Sequence, residues 1–379
     1  MMAIRSFPSK IFIYSCIIYF ISINLNVPAT NSATFGQSYS IIQAPLQNPT
    51  AFYAPISKVS RQTPSLDSSS FNLSYGTGLT TSAKNAFDMA ANSWATYLND
   101  PVTINLTVDY QSLASNILGQ TSTTFLSGGY DTIRNMVSSN FGEINNVMES
   151  ALLPNLPDSS EFSAYLPTGF SMNGNSLISQ ANYHALGGTG FDGSDGSITF
   201  SSGYSWDFDP SDGISAGSYD FVGVAMHEIG HSLGFISEVD YVDWLLNEGL
   251  SSDSIMPTTL DLFRFGTEDL GSGAFDFTQT PRMLTPGNDQ ALYFGGESVL
   301  LSTGVNKGDG YQASHFKDEL GLGLFDPTAG PGELLSVSKY DLAALDLIGW
   351  DINSVPIPGA IILFGSGLLG LVGLRRKQK

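Results

Sequence analysis

Asp220-Phe221-Val222-Gly223-Val224-Ala225-Met226-His227-Glu228-Ile229-Gly230-His231-Ser232-Leu233-Gly234 is the stretch that decides how this chain is read. Val222, Ala225, Met226 and Ile229 fall on one side at helical period, and Asp220 is placed to cap the first turn. Gly234 lets the chain leave the helix sharply. His227 and His231 are four apart, so both imidazoles project from one face, one turn apart. Two neutral imidazole nitrogens so placed converge on one Zn²⁺. Glu228 beside them can take a proton from zinc-bound water, which is the chemical reason for the H-E-x-x-H spacing.

Zinc in such a site needs a third protein ligand and keeps its fourth position for water. Six residues after His231, where a compact metzincin motif would place that ligand, stands Ser237, a poor donor. Three residues qualify instead. Asp240 lies just behind the Gly234 turn. Glu248 sits in Asn247-Glu248-Gly249-Leu250-Ser251-Ser252-Asp253, which looks like a gluzincin third-ligand segment. His315 sits in Ala313-Ser314-His315-Phe316, 84 residues after His231 (315 − 231).

The 379 residues suffice for one large domain or two modest ones. With 42% hydrophobic and 13% charged residues the chain can bury a core. Thirty-five acidic against 15 basic side chains give a net charge of −20. That surface repels phosphate backbones, so nucleic acid is not an expected partner. The single cysteine, Cys16, lies in the N-terminal apolar run, which leaves no disulfide framework, thiolate zinc site or cysteine nucleophile in the body of the chain.

Both ends read as targeting segments. Residues 1–33 hold Arg5 and Lys10, an apolar stretch from Ile11 to Leu25 and small residues around Ala29 and Ala33, the layout of a cleaved secretory signal peptide. Residues 355–379 run Val355-Pro356-Ile357-Pro358-Gly359-Ala360, an apolar stretch to Leu374, then Arg375-Arg376-Lys377. The 18 residues from Ile357 to Leu374 just suffice for a transmembrane helix, with the basic cluster on the cytoplasmic side. This tail resembles the PEP-CTERM sorting signal, with Phe364-Gly365-Ser366-Gly367-Leu368-Leu369-Gly370 as its core and Ile357 in place of the usual acidic residue. The resemblance implies processing by an exosortase-type enzyme, a membrane-anchored stage and an envelope or extracellular destination.

Between the ends, residues 34–70 are polar and proline-bearing, a linker or short pro-segment. Residues 71–353 read as the folded domain, of α+β class. Thr81 or Ser82 can cap a helix to about Leu98, with Ala83, Ala86, Phe87, Ala90, Ala91, Trp94 and Leu98 on one face. Val102, Ile104, Leu106 and Val108 alternate with polar residues as a half-buried strand. A second helix is expected around Ile133–Leu152 and a short strand at Ser197–Phe200.

His231-Ser232-Leu233-Gly234-Phe235, a long insertion and then Ser314-His315-Phe316 resemble the leishmanolysin-like metzincins, whose third histidine is delayed by an insertion. The likeness covers most of 71–353 loosely, and 221–240 and 311–350 closely. It implies a zincin/metzincin-type catalytic domain with a twisted sheet, an H-E-x-x-H active-site helix and a C-terminal helix. It also implies His315 as third ligand, because gluzincin helices run on without the Gly234 turn. Phe325, in Leu324-Phe325-Asp326-Pro327, takes the place of the Met under the zinc. The closing helix is Lys339–Ile348, with Leu342, Leu345 and Ile348 inward and Gly349 as its stop. The implied reaction is zinc-dependent hydrolysis of protein or peptide substrate with Glu228 as general base, the strand at Ser197–Phe200 binding substrate backbone as a sheet edge. The competing expectations are a non-catalytic exported surface or matrix protein with a structural or vestigial zinc, and an adhesin with the motif by chance.

Asp192, Asp195, Asp207, Asp209 and Asp212 crowd one loop region and offer Ca²⁺ as a second metal, although a solvated acidic loop is the plainer reading. His184 reads as an ordinary loop histidine. Tyr340 is placed either to meet an oxyanion or to pack.

Overall fold

The computed structural model describes residues 20–21, 35–43, 69–140 and 155–353. The C-terminal segment expected to be a sorting signal, and nearly all of the region expected to be a signal peptide, lie outside the described residues. Among those described, no helix is long and apolar enough to cross a membrane.

A mixed sheet organises the fold. β3 (Ser70–Tyr75) leads through α1 (Thr81–Tyr97) to β4 (Thr103–Gln111), which pairs with β3 in parallel. A parallel pair needs a crossover of this kind, and the apolar face of α1 covers the sheet. β5 (Ile117–Gly129) follows, then α2 (Tyr130–Ser139). A two-residue strand, β6 (Ala164–Tyr165), precedes β7 (Asn175–Ser179), which runs into α3 (Gln180–Ala185). β8 (Gly196–Ser201) then inserts between β4, to which it is parallel, and β5, to which it is antiparallel. β5 is also flanked by β7 and by β2 (Phe35–Gln43), both antiparallel to it, and β1 (Phe20–Ile21) pairs with the start of β2.

Two expectations differ from what forms. Ser197–Phe200 is a strand, but an interior one: Ser197, Ile198, Thr199 and Phe200 face both β4 and β5. Alternating burial gives a strand's faces and is silent about its neighbours, so the edge assignment had no support in periodicity. Within 34–70, expected as a linker or a short pro-segment, Phe35–Gln43 lies along β5 with Gly36 opposite Phe125 and Gln43 opposite Ile117, which departs from the linker alternative alone.

The helix expected from Thr81 forms, with Thr80 rather than Thr81 or Ser82 as its cap: the extended Thr80 accepts from the Ala83 N–H at 3.1 Å. α2 begins at Tyr130, ahead of Ile133, and its helical assignment stops at Ser139. Residues 141–154 lie outside the description.

β9 (Trp206–Asp207) and β10 (Tyr219–Asp220) make a small parallel pair that feeds α4 (Phe221–Leu233). α5 (Val239–Asn247) follows. β11 (Arg264–Gly266) and a short α6 (Thr267–Gly271) come next. β12 (Arg282–Met283) pairs with β6, while β13 (Gln290–Tyr293) and β14 (Ser298–Leu301) extend β11. The closing helix, α7 (Lys339–Leu347), has a capping box in which Ser338 and Asp341 each accept a backbone N–H of the other. Gly349 stops it with φ +100°.

α4 runs through the middle of the molecule. All of its 13 residues are buried, as a helix covered on every side must be. α1 packs on one flank and the sheet on another. Two indoles tie its backbone down: Trp94 donates to the Met226 carbonyl and Trp350 to the Leu233 carbonyl, each at 2.8 Å. The Phe200 and Phe221 rings stack at 4.3 Å where the sheet meets the start of α4.

Candidate metal centre

The cap on α4 is Asp220, whose carboxylate accepts from the Gly223 N–H at 2.9 Å and from the Leu335 N–H at 3.1 Å. Burial outweighs these hydrogen bonds and pushes its pKa up to about 6. At the other end Gly234 adopts φ +117°, a left-handed cap that L side chains resist, and turns the chain away after His231.

His227 and His231 both point their Nε2 atoms at one spot, 3.0 Å apart. His315 arrives from the loop after β14 and brings its own Nε2 to 3.2 Å from that of His227. All three rings are fully buried. Each Nδ1 faces a backbone carbonyl: His227 faces Leu324 at 2.6 Å, His231 faces Phe235 at 2.8 Å and His315 faces Gln312 at 3.2 Å. A carbonyl oxygen only accepts, so each Nδ1 carries the proton and each Nε2 presents a lone pair. Three lone pairs converging at this distance repel one another unless a cation lies between them. Two nitrogens at metal–ligand distance in a tetrahedron are about 3.3 Å apart, close to the separations seen. Burial drives the pKa of His227 down to about 4 and those of His231 and His315 well below the ordinary value, which keeps all three rings neutral as metal ligands require. Together they form the sole cluster of three or more His, Cys, Asp or Glu among the described residues whose ligand atoms can share one ion.

Glu228 is equally enclosed. The Thr121 hydroxyl, on β5, lies 2.6 Å from its Oε2 and 2.9 Å from its backbone carbonyl. Close by on the same strand, Gly119 leaves the room the carboxylate occupies: a Cβ there would come within 2.8 Å of Oε1.

Phe325, which the resemblance set beneath the histidines, packs beside two of them. Its ring stacks on Phe235 at 3.9 Å and lies 6.1 and 5.9 Å from the rings of His227 and His231. Gly230 is the residue that admits it, since a Cβ at 230 would overlap the Phe325 ring. The buried Asp341 holds the turn by accepting from the Leu324 N–H at 2.8 Å and the Phe325 N–H at 3.0 Å. The Leu324 carbonyl that meets His227 is thereby fixed from α7.

The other candidates fall elsewhere. Glu248 is exposed at the C-terminal end of α5. Asp240 spends its carboxylate on the backbone of residues 313 and 314. Ser237, buried, donates its hydroxyl to Asp261 at 2.6 Å. The acidic loop does not gather into a Ca²⁺ site. Asp195 is fully buried and accepts from Asn105 and Gln180, whereas Asp207 and Asp209 cap nearby turns. His184 sits 3.8 Å from Asp195, at the end of a short helix and not in a loop. Tyr340 packs, its ring 6.3 Å from Phe294.

The sequence reading missed Thr121, Gly119 and Asp341. Their roles depend on which strand crosses α4 and which turn meets α7, and no local period carries that information. The Gly230–Phe325 contact was legible only as a small residue between two ligands.

Compared with known proteins, the chain matches no family model, no curated protein and no solved structure.

Proposed function

We propose that the chain is an exported zinc endopeptidase of the leishmanolysin-like metzincin type, acting on extracellular or envelope protein. The reading is carried by three neutral imidazoles whose acceptor nitrogens meet beside a glutamate of the same helix. A Zn²⁺ held there would polarise a peptide carbonyl and lower the pKa of a coordinated water. His227, His231 and His315 supply three ligands and leave a fourth position open, the arrangement of catalytic rather than structural zinc sites. Glu228 takes the proton of the attacking water and delivers it to the leaving amine. Thr121 holds one carboxylate oxygen of Glu228, which orients the other. The signal-peptide-like start and the PEP-CTERM-like end support export, handling by an exosortase-type enzyme and a membrane-anchored stage.

The four side chains have no exposed surface, and β2 lies against α4 along β5. A substrate reaches Glu228 only after its cover has moved, so a chain lacking residues 34–43 is expected to hydrolyse casein faster than one retaining them. The same enclosure favours a second reading, an exported surface or matrix protein with a structural metal.

Zinc content and casein hydrolysis, measured on the wild type, Glu228→Ala and His315→Ala, separate the two. One zinc per chain, hydrolysis abolished in Glu228→Ala with zinc retained, and zinc lost in His315→Ala are the results expected of the enzyme. Zinc without hydrolysis, even after removal of residues 34–43, would establish the structural reading. A wild type without zinc would remove both.

A further inference from the structure

The first two histidines are fixed by a helix, and the third is not. His315 sits in a loop, and its Nδ1 meets a carbonyl of that same loop at 3.2 Å, longer than the corresponding contacts of His227 and His231. Its direction therefore depends on how firmly the backbone of 313–315 is held.

That backbone is pinned from several sides. Asp240, in the first turn of α5, accepts the Ala313 N–H on Oδ1 at 2.6 Å and the Ser314 N–H on Oδ2 at 3.1 Å, and the Ser314 hydroxyl also donates to Oδ2. The Ser314 hydroxyl in turn accepts the Ser237 N–H at 2.9 Å, which joins the loop to the exit of α4. Arg264, fully buried, donates from Nη2 to the Ala313 carbonyl at 2.5 Å and pairs through Nε with Asp261 at 3.3 Å. On the far side the His315 carbonyl accepts the Ser302 N–H at 3.0 Å.

We infer that Asp240 is the positioning residue for the third metal ligand: its carboxylate locks the 313–314 backbone so that His315 presents Nε2 to the ion already gripped by α4. The inference rests on the metal-site reading above. The residue type follows from the contacts. Three donors converge on Asp240, and a carboxylate, being acceptor-only, takes all three. An amide in its place would turn an NH₂ towards at least one of those donors. Asp240 was a ligand candidate from the sequence; its oxygens are instead committed one and two residues upstream of His315.

Removing an outer partner of a metal ligand typically weakens metal binding by about 10–100-fold. The test is a competition titration of zinc against a chromophoric chelator, on the full chain, with circular dichroism and metal-free thermal unfolding run beside it. Asp240→Asn is expected to weaken zinc binding by about 10–100-fold. In a His315→Ala background, whose two remaining histidines no longer retain zinc through purification but still titrate it against a weak chelator, the same substitution is expected to cost under about threefold, because its effect passes through His315. A fold-wide role would give the same loss in both backgrounds, and that result would overturn the inference. Wild-type affinity in Asp240→Asn would overturn it too, while leaving the metal site intact. Absence of zinc from the wild type would remove the metal site and this inference together. If Asp240→Asn does not fold, Asp240→Ser decides: its single short hydroxyl cannot hold both the Ala313 and Ser314 amides, and it is expected to bind zinc more weakly, whereas unchanged affinity would again overturn the inference.

Discussion

α4 and the loop around His315 bring equivalent imidazoles to one point by opposite means. In α4 the placement is periodic: a 3.6-residue turn sets His227 over His231, and a largely apolar surround, with Trp94, Trp350 and Thr121 bonded to its backbone, holds the helix. Around His315 nothing is periodic. Placement there comes from polar groups, the part-buried Asp240 and the buried Arg264, Asp261, Ser237 and Ser314, each engaged by hydrogen bond or ion pair. Apolar packing tolerates small shifts, whereas a buried charge whose partner is removed is left with a large desolvation cost. The helix should therefore be robust in structure and indispensable in chemistry, and the loop should be fragile in structure.

Four substitutions and conditions press on that contrast. Glu228→Gln is expected to keep zinc and fold while hydrolysis drops by about 10²–10⁴-fold, the usual worth of a general base. A variant hydrolysing at the wild-type rate would take the chemistry away from α4. On the loop side, Arg264→Met leaves Asp261 and the Ala313 carbonyl without their cation, and urea unfolding should show a loss of about 3–5 kcal/mol. A loss below about 1 kcal/mol would mean that the network behaves like a surface ion pair.

Gly230→Ala tests the helix side. Alanine gains about 1 kcal/mol of helix propensity over glycine, but its Cβ meets the Phe325 ring, which is wedged against Phe235 and Trp94. The overpacking cost of about 1–3 kcal/mol should win, giving a net destabilisation. A stabilised variant would show that the ring can move.

The smallest effect expected concerns pH. Burial pushes Asp100 and Asp326 up to about 8, helped by the nearby carboxylates of Asp351 and of Asp341 and Asp318 respectively. An unfolded aspartate ionises near pH 3.8. Between those values the unfolded chain has released protons that the folded chain still holds, so stability falls as pH rises. Both states are protonated below the lower value, where this contribution is complete, and it is lost above about 8. Above the range in which the three histidines titrate, where their lowered pKa values no longer act in the opposite direction, the metal-free chain should unfold at lower urea concentration at pH 8 than at pH 7. Asp100→Asn should flatten the slope, and a midpoint that rises with pH would mean that Asp100 and Asp326 are ionised in the folded chain.

The contrast also explains what could be read in advance. α1, α4 and α7 were legible because helical period and caps are local, down to Asp220, Gly234 and Gly349. His227, Glu228 and His231 came with them. His315 stood beside Asp240 and Glu248 as a candidate until the resemblance singled it out, and Phe325 came through the resemblance as well. Asp240 shows the limit: the sequence placed a carboxylate near the candidate metal ligands but could not say what its oxygens meet, because that is decided by where residues 313 and 314 pass. The edge assigned to Ser197–Phe200 failed for the same kind of reason. Strand alternation says which side chains are buried, and the partner of each strand edge is decided by chain segments far away.

The 84-residue span between His231 and His315 (315 − 231) has a further consequence for how this chain stays folded. With one cysteine the chain can form no disulfide of its own. An ion shared by α4 and the His315 loop would instead be its covalent-like cross-link, tying two ends of a long loop. Closing a loop of that length removes conformational entropy from the unfolded chain worth about 4–5 kcal/mol where the link persists on unfolding. Because a metal link dissociates when the site opens, the protection would scale with free metal concentration rather than being permanent. The chain's lifetime would then follow the metal supply of its surroundings, and a chelator would act first on the span the ion closes.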